Sequence, residues 1–343
     1  MTHLNIGEMT YRGLVGVGGI GWGTVFAVSG DHPLGREESR SGHFLDRQDF
    51  CKLHIIAHYI QTLLGPGFQT LPVGKVGGDG IGAQLIDQME EAGINVDHVR
   101  CLADERTLYS FCFVYPDGTG GNLTTSDSAA AQVDAATVAE AEEAFERFGD
   151  RGMALAVPEV PLPAREKVLE LGTRHGCLRA AAFTSEEMPG AVESGLLRQV
   201  DLLAINLDEA AAVAPGARSA PDIVNAAVKT LADIQPNMRI SVTAGSRGSW
   251  AWDGSLLSHA PALEADVRSS AGAGDAHFAG ILVGLAAGLA LREAQELGAL
   301  VAALSVTSPH TIHKGIGRDS LRRFVVQSQA EVGDAVRGLL EDG

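Results

Sequence analysis

The chain has 343 residues, 45% hydrophobic and 20% charged, with 42 glycines and a formal net charge of −17. So acidic a balance argues against a broad nucleic-acid or anionic-membrane surface, which needs a basic footprint, and the apolar content argues against disorder. The opening MTHLNIGEMTYRG lacks a signal-peptide pattern and no apolar run reaches the roughly 18 residues of a membrane span, so a cytoplasmic protein with no nucleic-acid or membrane partner is expected.

In chain order, residues 12–29 and 106–115 are rich in β-branched and aromatic side chains and predict strands. Between them lie the polar stretch GDHPLGREESRSGH, an apolar-periodic helix near 50–64, a strand in FQTLPVGKV and a helix across IGAQLIDQMEEAG. From about residue 134 the rhythm becomes regular: helix AATVAEAEEAFERF, strand GMALAV, helix PAREKVLELGTRHG, strands LRAAAF and DLLAIN, a helix near PDIVNAAVKTLADI and strand RISVTA. Strands around SWAWDG and SLLSHA and two long apolar helices, 273–289 and 291–307, complete the chain. Such alternation predicts a parallel sheet with helices on both faces, which binds ligands at the carboxyl ends of its strands. Cys51, Cys101, Cys112 and Cys177 show no metal-ligand spacing and are expected to be reduced and mostly buried.

Three motifs stand at such positions. In SSAGAGDAHFAG, a helix beginning near Asp275 would aim the free amides of its first turn at one spot, where an anion could sit; Asp275 reads equally as a helix cap. In VTAGSRGSW, Thr243, Gly245 and Gly248 could pass a nucleotide's phosphates or simply form the hairpin into the next strand. In INLDEA, Asn206 and Glu209 suit a hydrated Mg²⁺, or a capping-box variant at least as well. The Gly-rich GVGGIG invites a dinucleotide reading, which fails because the segment runs into another strand rather than a helix.

Taken in order, GKVGGDGIGAQLIDQMEEAGINVDHV, NLDE, TAGSRG and SSAGAGDA resemble the ribokinase (PfkB) family of carbohydrate kinases over roughly residues 12–325. The resemblance implies one ribokinase-like domain over 1–343: a doubly wound, mainly parallel α/β sheet flanked by helices, with a small β-sheet lid from about 12–48 and 104–126. It implies ATP-dependent phosphorylation of a hydroxyl on a sugar-like small molecule. Asp275 would be the general base, the amides of Gly272, Ala273 and Gly274 the anion hole, Asn206 and Glu209 the Mg²⁺ site acting through water, and Thr243, Gly245 and Gly248 the turn beside the ATP phosphates. Glu159, Gly19 and Lys52 are the substrate-side candidates, and the lid, with Trp22, Val25 and Phe26, could pair two copies.

Three departures accompany the match. The family's early GNxxxD reads GGIGWGT here, with Gly23 near the place of the sugar-binding Asp. The GGxxxN stretch is replaced by a polar insert and DFCKLHIIAH, in which Lys52, His54 and His58 read as surface helix residues more readily than as substrate contacts. Potassium activation loses its usual residues, because Ser269 and Ser270 stand where the family has Asp and Thr. A non-catalytic regulator that keeps the fold is the alternative these departures motivate.

Overall fold

The computed structural model describes residues 2–117, 119–214 and 216–342. Among the described residues, thirteen strands form two sheets: β1 (Gly13–Val17), β2 (Gly21–Val28), β3 (Gly42–Phe50), β4 (Gln69–Gly77), β5 (Val99–Leu102), β6 (Leu108–Val114), β7 (Gly120–Thr124), β8 (Gly152–Ala156), β9 (Leu178–Ala182), β10 (Leu202–Asn206), β11 (Arg239–Thr243), β12 (Ser249–Trp252) and β13 (Leu257–Ala260). The large sheet runs β13-β12-β11-β10-β9-β8-β1-β4-β5. It is parallel from β11 to β5, with β12 and β13 antiparallel at one edge. Its interior strands β1 and β8 are buried along their whole length, as expected where helices cover both faces of a parallel sheet. The small sheet runs β3-β2-β6-β7.

Residues 12–29 therefore form two strands in different sheets rather than one lid segment: β1 lies at the heart of the large sheet, and only β2, after the glycines at 18 and 19, joins the small one. The expected helix over AATVAEAEEAFERF is broken in two, Ala135–Ala139 and Glu142–Phe148. Strand β3 falls partly in the stretch read as polar; most of its side chains are at least partly exposed, so it lacks the apolar alternation that marks a half-buried strand.

Two apolar clusters lie one on each face of the large sheet. One is built around the helices Lys52–Leu64, Ala273–Ala286 and Leu291–Ser305. The last two pack backbone to backbone: a Cβ on Gly280 would lie 2.7 Å from Gly298 Cα, and one on Gly284 2.8 Å from Ala294 Cα. These glycines serve helix packing, whereas Gly272 and Gly274 lie at the mouth of the helix. On the opposite face, Arg165 is fully buried in the helix Leu162–Arg174. It donates to Glu187 Oε1 and the Ala182 carbonyl, each at 2.6 Å, with its guanidinium 4.5 Å above the Phe183 ring.

Candidate active site

Strand order reverses between β1 and β8, and the chain leaving each of them meets there: the Gly19 amide donates to the Pro158 carbonyl at 3.0 Å. Such a switch point opens a crevice at the carboxyl edge of the sheet. Glu159, just past β8, is held at φ 77°, a conformation strained for a residue with a Cβ. A Cβ on Gly19 would fall 2.4 Å from Glu159 Oε2, so the bare backbone at 19 makes room for this carboxylate. Glu159 Oε2 accepts the Lys52 amide at 3.0 Å, which joins the switch point to the start of the helix Lys52–Leu64. Burial pushes the Glu159 carboxyl up to about 7 against the opposing pull of Lys52.

The Lys52 side chain crosses the crevice and donates to Asp275 Oδ1 at 3.3 Å. Asp275 holds the Lys52 amine protonated, raising its pKa against a smaller opposing effect of burial. Contrary to the surface reading of this helix, His54 and His58 are 1% and 7% exposed, and burial lowers their pKa values to about 3 and about 4, leaving neutral imidazoles. The helix is wedged between the large sheet and the helix Ala273–Ala286, so nearly its whole circumference is covered.

Asp275 lies in the first turn of Ala273–Ala286. Gly272 precedes it at φ 77°, with space for a Cβ closed by the Thr311 carbonyl at 3.0 Å. The expected cradle of three amides is altered. The Ala273 amide is bonded to the Ser270 carbonyl at 3.2 Å, whereas among the described residues the amides of Gly272, Gly274 and Asp275 have no acceptor. The free donors at the helix mouth are thus 272, 274 and 275.

Thr243 and Asn206 are register partners at the ends of β11 and β10, and the Cβ position of Gly274 lies 3.9 Å from Thr243 Oγ1. TAGSRG is a tight antiparallel turn, in which the Ala244 amide donates to the Gly248 carbonyl at 2.8 Å. Gly248, at φ 84°, presses so closely on the Ala260 carbonyl that no side chain fits. The turn at Gly245 and Gly248 thus joins β11 to β12 and leaves Thr243 beside the helix mouth.

Asn206 and Glu209 form a capping box: Asn206 Oδ1 accepts the Asp208 and Glu209 amides at 2.9 Å each, and Glu209 Oε2 accepts the Asn206 amide at 2.8 Å. Burial raises the Glu209 pKa, and the box adjoins the helix mouth through Asn206, the register partner of Thr243. All four cysteines are free; Cys51 and Cys177 are buried, whereas Cys101 is exposed and Cys112 half-buried. A site residue that the strand pattern missed is Asp49, near the end of β3, whose carboxyl is raised by burial and lies in the field of Asp275 and Lys52. No periodic signal in HFLDRQDF singled it out.

Comparison with known proteins gives the family of the chain. The model of pfkB family carbohydrate kinases matches residues 56–316. The chain belongs to this family. Among relatives of the pfkB family, a ribokinase of Schizosaccharomyces pombe is 24% identical over 241 residues, covering 68% of this chain and 72% of that protein. Solved structures share the family fold. The ribokinase of Cryptococcus neoformans var. grubii in complex with ADP is similar at a TM-score of 0.77 and 18% identity, covering 92% of this chain and 99% of that one. The nucleoside kinase of Burkholderia thailandensis in complex with inosine is similar at 0.73 and 17%, covering 91% and 98%. No helix among the described residues is long and apolar enough to cross a membrane.

Proposed function

We propose that the protein transfers the γ-phosphoryl group of ATP to a hydroxyl of a sugar or sugar-like molecule, with Asp275 as general base. The observation that carries this reading is the ion pair of Lys52 and Asp275 at a helix mouth whose amides at 272, 274 and 275 are free. Asp275 takes the proton of the acceptor hydroxyl as its oxygen forms the new bond to phosphorus; the bond from that phosphorus to the β-phosphate oxygen breaks, and ADP leaves with the electron pair. The free amides and the helix dipole offset the charge on the transferring group, and Thr243 lines the same approach. Lys52 adds a fixed positive charge. Glu159 holds the Lys52 amide in place and offers its carboxylate to the acceptor. Gly19 keeps that carboxylate's space open.

The residues present also fit Mg²⁺ arriving with the nucleotide. Asn206 Oδ1 and Glu209 Oε2 are committed to the capping box, leaving Glu209 Oε1 as its available carboxylate oxygen. Among the described residues no group of three or more His, Cys, Asp or Glu converges to cage a metal. One carboxylate oxygen suits an ion that keeps its waters and rests mainly on phosphates, whose charge it would offset.

The small sheet acts as a lid over the acceptor, excluding water that would otherwise compete for the phosphoryl group. Its outer face carries Phe26, Phe44 and Phe111 with ring centroids 5.1 to 6.3 Å apart; Phe44 is 64% exposed. Such an apolar face suits pairing with a second copy. Trp22, on the same side of β2, packs edge-on against Phe50 at 5.5 Å, nearer the root of the sheet.

The test of the kinase reading is ADP formation from ATP and Mg²⁺ on addition of neutral sugars and nucleosides. Turnover that disappears in Asp275→Asn while ADP still binds supports it; an Asp275→Asn enzyme at full rate overturns the assignment. A protein that binds acceptors yet never turns over would instead be the non-catalytic regulator.

A further inference from the structure

Paired residues in a sheet share a face, so the register of the small sheet sorts its side chains. Gly23 is opposite Asp49 on β3 and Ser110 on β6, and one step further along that face Cys112 is opposite Asn122. The alternate residues of β6, Phe111 and Phe113, occupy the other face, where Phe111 meets Phe26 and Phe44. Around Asp49 this face carries Ser110, Cys112, Thr124 and Asn122, with the apolar Val25 and Leu108 beside them. Ser110 Oγ lies 3.2 Å from Thr124 Oγ1, and the Cys112 thiol donates to Asp49 Oδ2 at 3.3 Å.

Two facts set Asp49 apart from an ordinary surface carboxylate. First, it occupies space that Gly23 leaves: a Cβ on Gly23 would fall 2.7 Å from Asp49 Oδ2 and 2.9 Å from its Cβ. A side chain at 23 and this position of Asp49 exclude each other. Second, it stands three residues before Lys52, whose amine reaches Asp275, and burial raises its carboxyl pKa. Its side-chain donor among the described residues is a thiol, a weak one, so a carboxylate withdrawn from water has acceptor capacity to spare.

Building on the kinase reading, we propose that Asp49 is the acceptor-anchoring residue of this chain: its carboxylate, supplied from β3 into the space left by Gly23 on β2, accepts hydrogen bonds from two adjacent hydroxyls of the substrate. The carboxylate that GGIGWGT lacks is thereby replaced from the neighbouring strand. The end of the substrate beneath the small sheet is a neutral vicinal diol, because a phosphate or carboxylate there would be repelled by Asp49. Ser110 and Asn122 continue the same hydroxyl-binding face.

The experiment compares wild type, Asp49→Asn, and the exchange Gly23→Asp/Asp49→Gly, with D-ribose, D-fructose and inosine as probes and the deoxy analogue of whichever is phosphorylated. Two charge-assisted hydrogen bonds are worth roughly 100-fold, so Asp49→Asn should raise KM for the best probe by about that factor with kcat changed far less, and should lose the preference for the diol over its deoxy analogue. ADP binding should be unchanged, which reports an intact fold. The exchange should recover much of the KM, whereas Gly23→Asp alone, crowded against Asp49, should not. An active wild type whose KM and diol preference survive in Asp49→Asn overturns this inference and leaves the kinase reading standing. A wild type that neither binds nor phosphorylates any probe in a thermal-shift and turnover screen overturns both.

Discussion

Lys52 and Asp275, 223 positions apart in sequence, meet at 3.3 Å across the crevice, and their side chains retain only 34% and 15% exposure. An ion pair so enclosed is little screened by salt. Replacing Lys52 by Met keeps the stem of the side chain and removes the charge. The expected result is a fall in kcat of roughly 100-fold, the scale of losing one electrostatic contact to a transferring group, with ADP affinity changed much less; steady-state kinetics with the best acceptor checks this.

Glu159 supplies a pH dependence. Its folded pKa, about 7, lies above the ordinary 4.5, so its protonated form favours the folded state. Stability from this group is full below about 4.5 and is lost as pH rises through about 7. Urea melts of wild type and Glu159→Gln across that window should therefore converge toward acid and diverge toward neutral, with wild type losing ground. The acceptor KM of wild type should carry a limb near 7 that the variant lacks, and in Lys52→Met that limb should move upward, because the Lys52 charge lowers the Glu159 pKa.

At Gly272 the conformation rather than the side chain is at stake. Alanine there meets both the left-handed φ of 77° and the Thr311 carbonyl. A loss of about 1–2 kcal/mol in stability is expected from the backbone alone. A drop in kcat should accompany it, because the free amides of 272, 274 and 275 shift together. Denaturant melts and kinetics on the same preparation separate the two effects.

Arg165 is a buried charge with two hydrogen bonds and a ring beneath it. Arg165→Ala leaves Glu187 without its guanidinium and opens a cavity, for an expected loss of about 3–5 kcal/mol. Arg165→Met, which refills the space, should lose less. A urea titration that ranks alanine and methionine equally would argue that packing is not part of the effect.

The outer face of the small sheet gives the last prediction. If Phe26, Phe44 and Phe111 pair two copies, Phe44→Asp places a charge in that contact and should halve the mass measured by light scattering. A wild type that is monomeric at all concentrations contradicts the pairing.

What was legible in the sequence follows from how each signal is written. Asp275, Thr243, Asn206 and Glu209 stand directly after strands or at a helix start, where Gly, Asn and Asp are local punctuation, and their positions at the carboxyl edge could be anticipated. The burial of His54 and His58 runs against the surface reading because polarity was taken for exposure, whereas tertiary packing covers that helix on nearly every side. Asp49 escaped notice for a different reason: β3 is mostly exposed and carries no alternation, and its significance lies in a cross-strand register that only pairing reveals. Likewise, which first-turn amide is consumed by Ser270 depends on backbone geometry, not on residue type.

Strand β3 ends at Phe50, and a single residue, Cys51, separates it from Lys52; the Cys51 amide is itself tied to the Gly21 carbonyl at the root of β2. The end of the small sheet and the start of the Lys52 helix therefore share one anchorage, because the same span is pinned to the body by Thr311, whose amide donates to the Gln48 carbonyl at 3.1 Å and whose Oγ1 accepts the Phe50 amide at 2.9 Å. The ammonium group is set in place by the same short stretch that roots the cover above it.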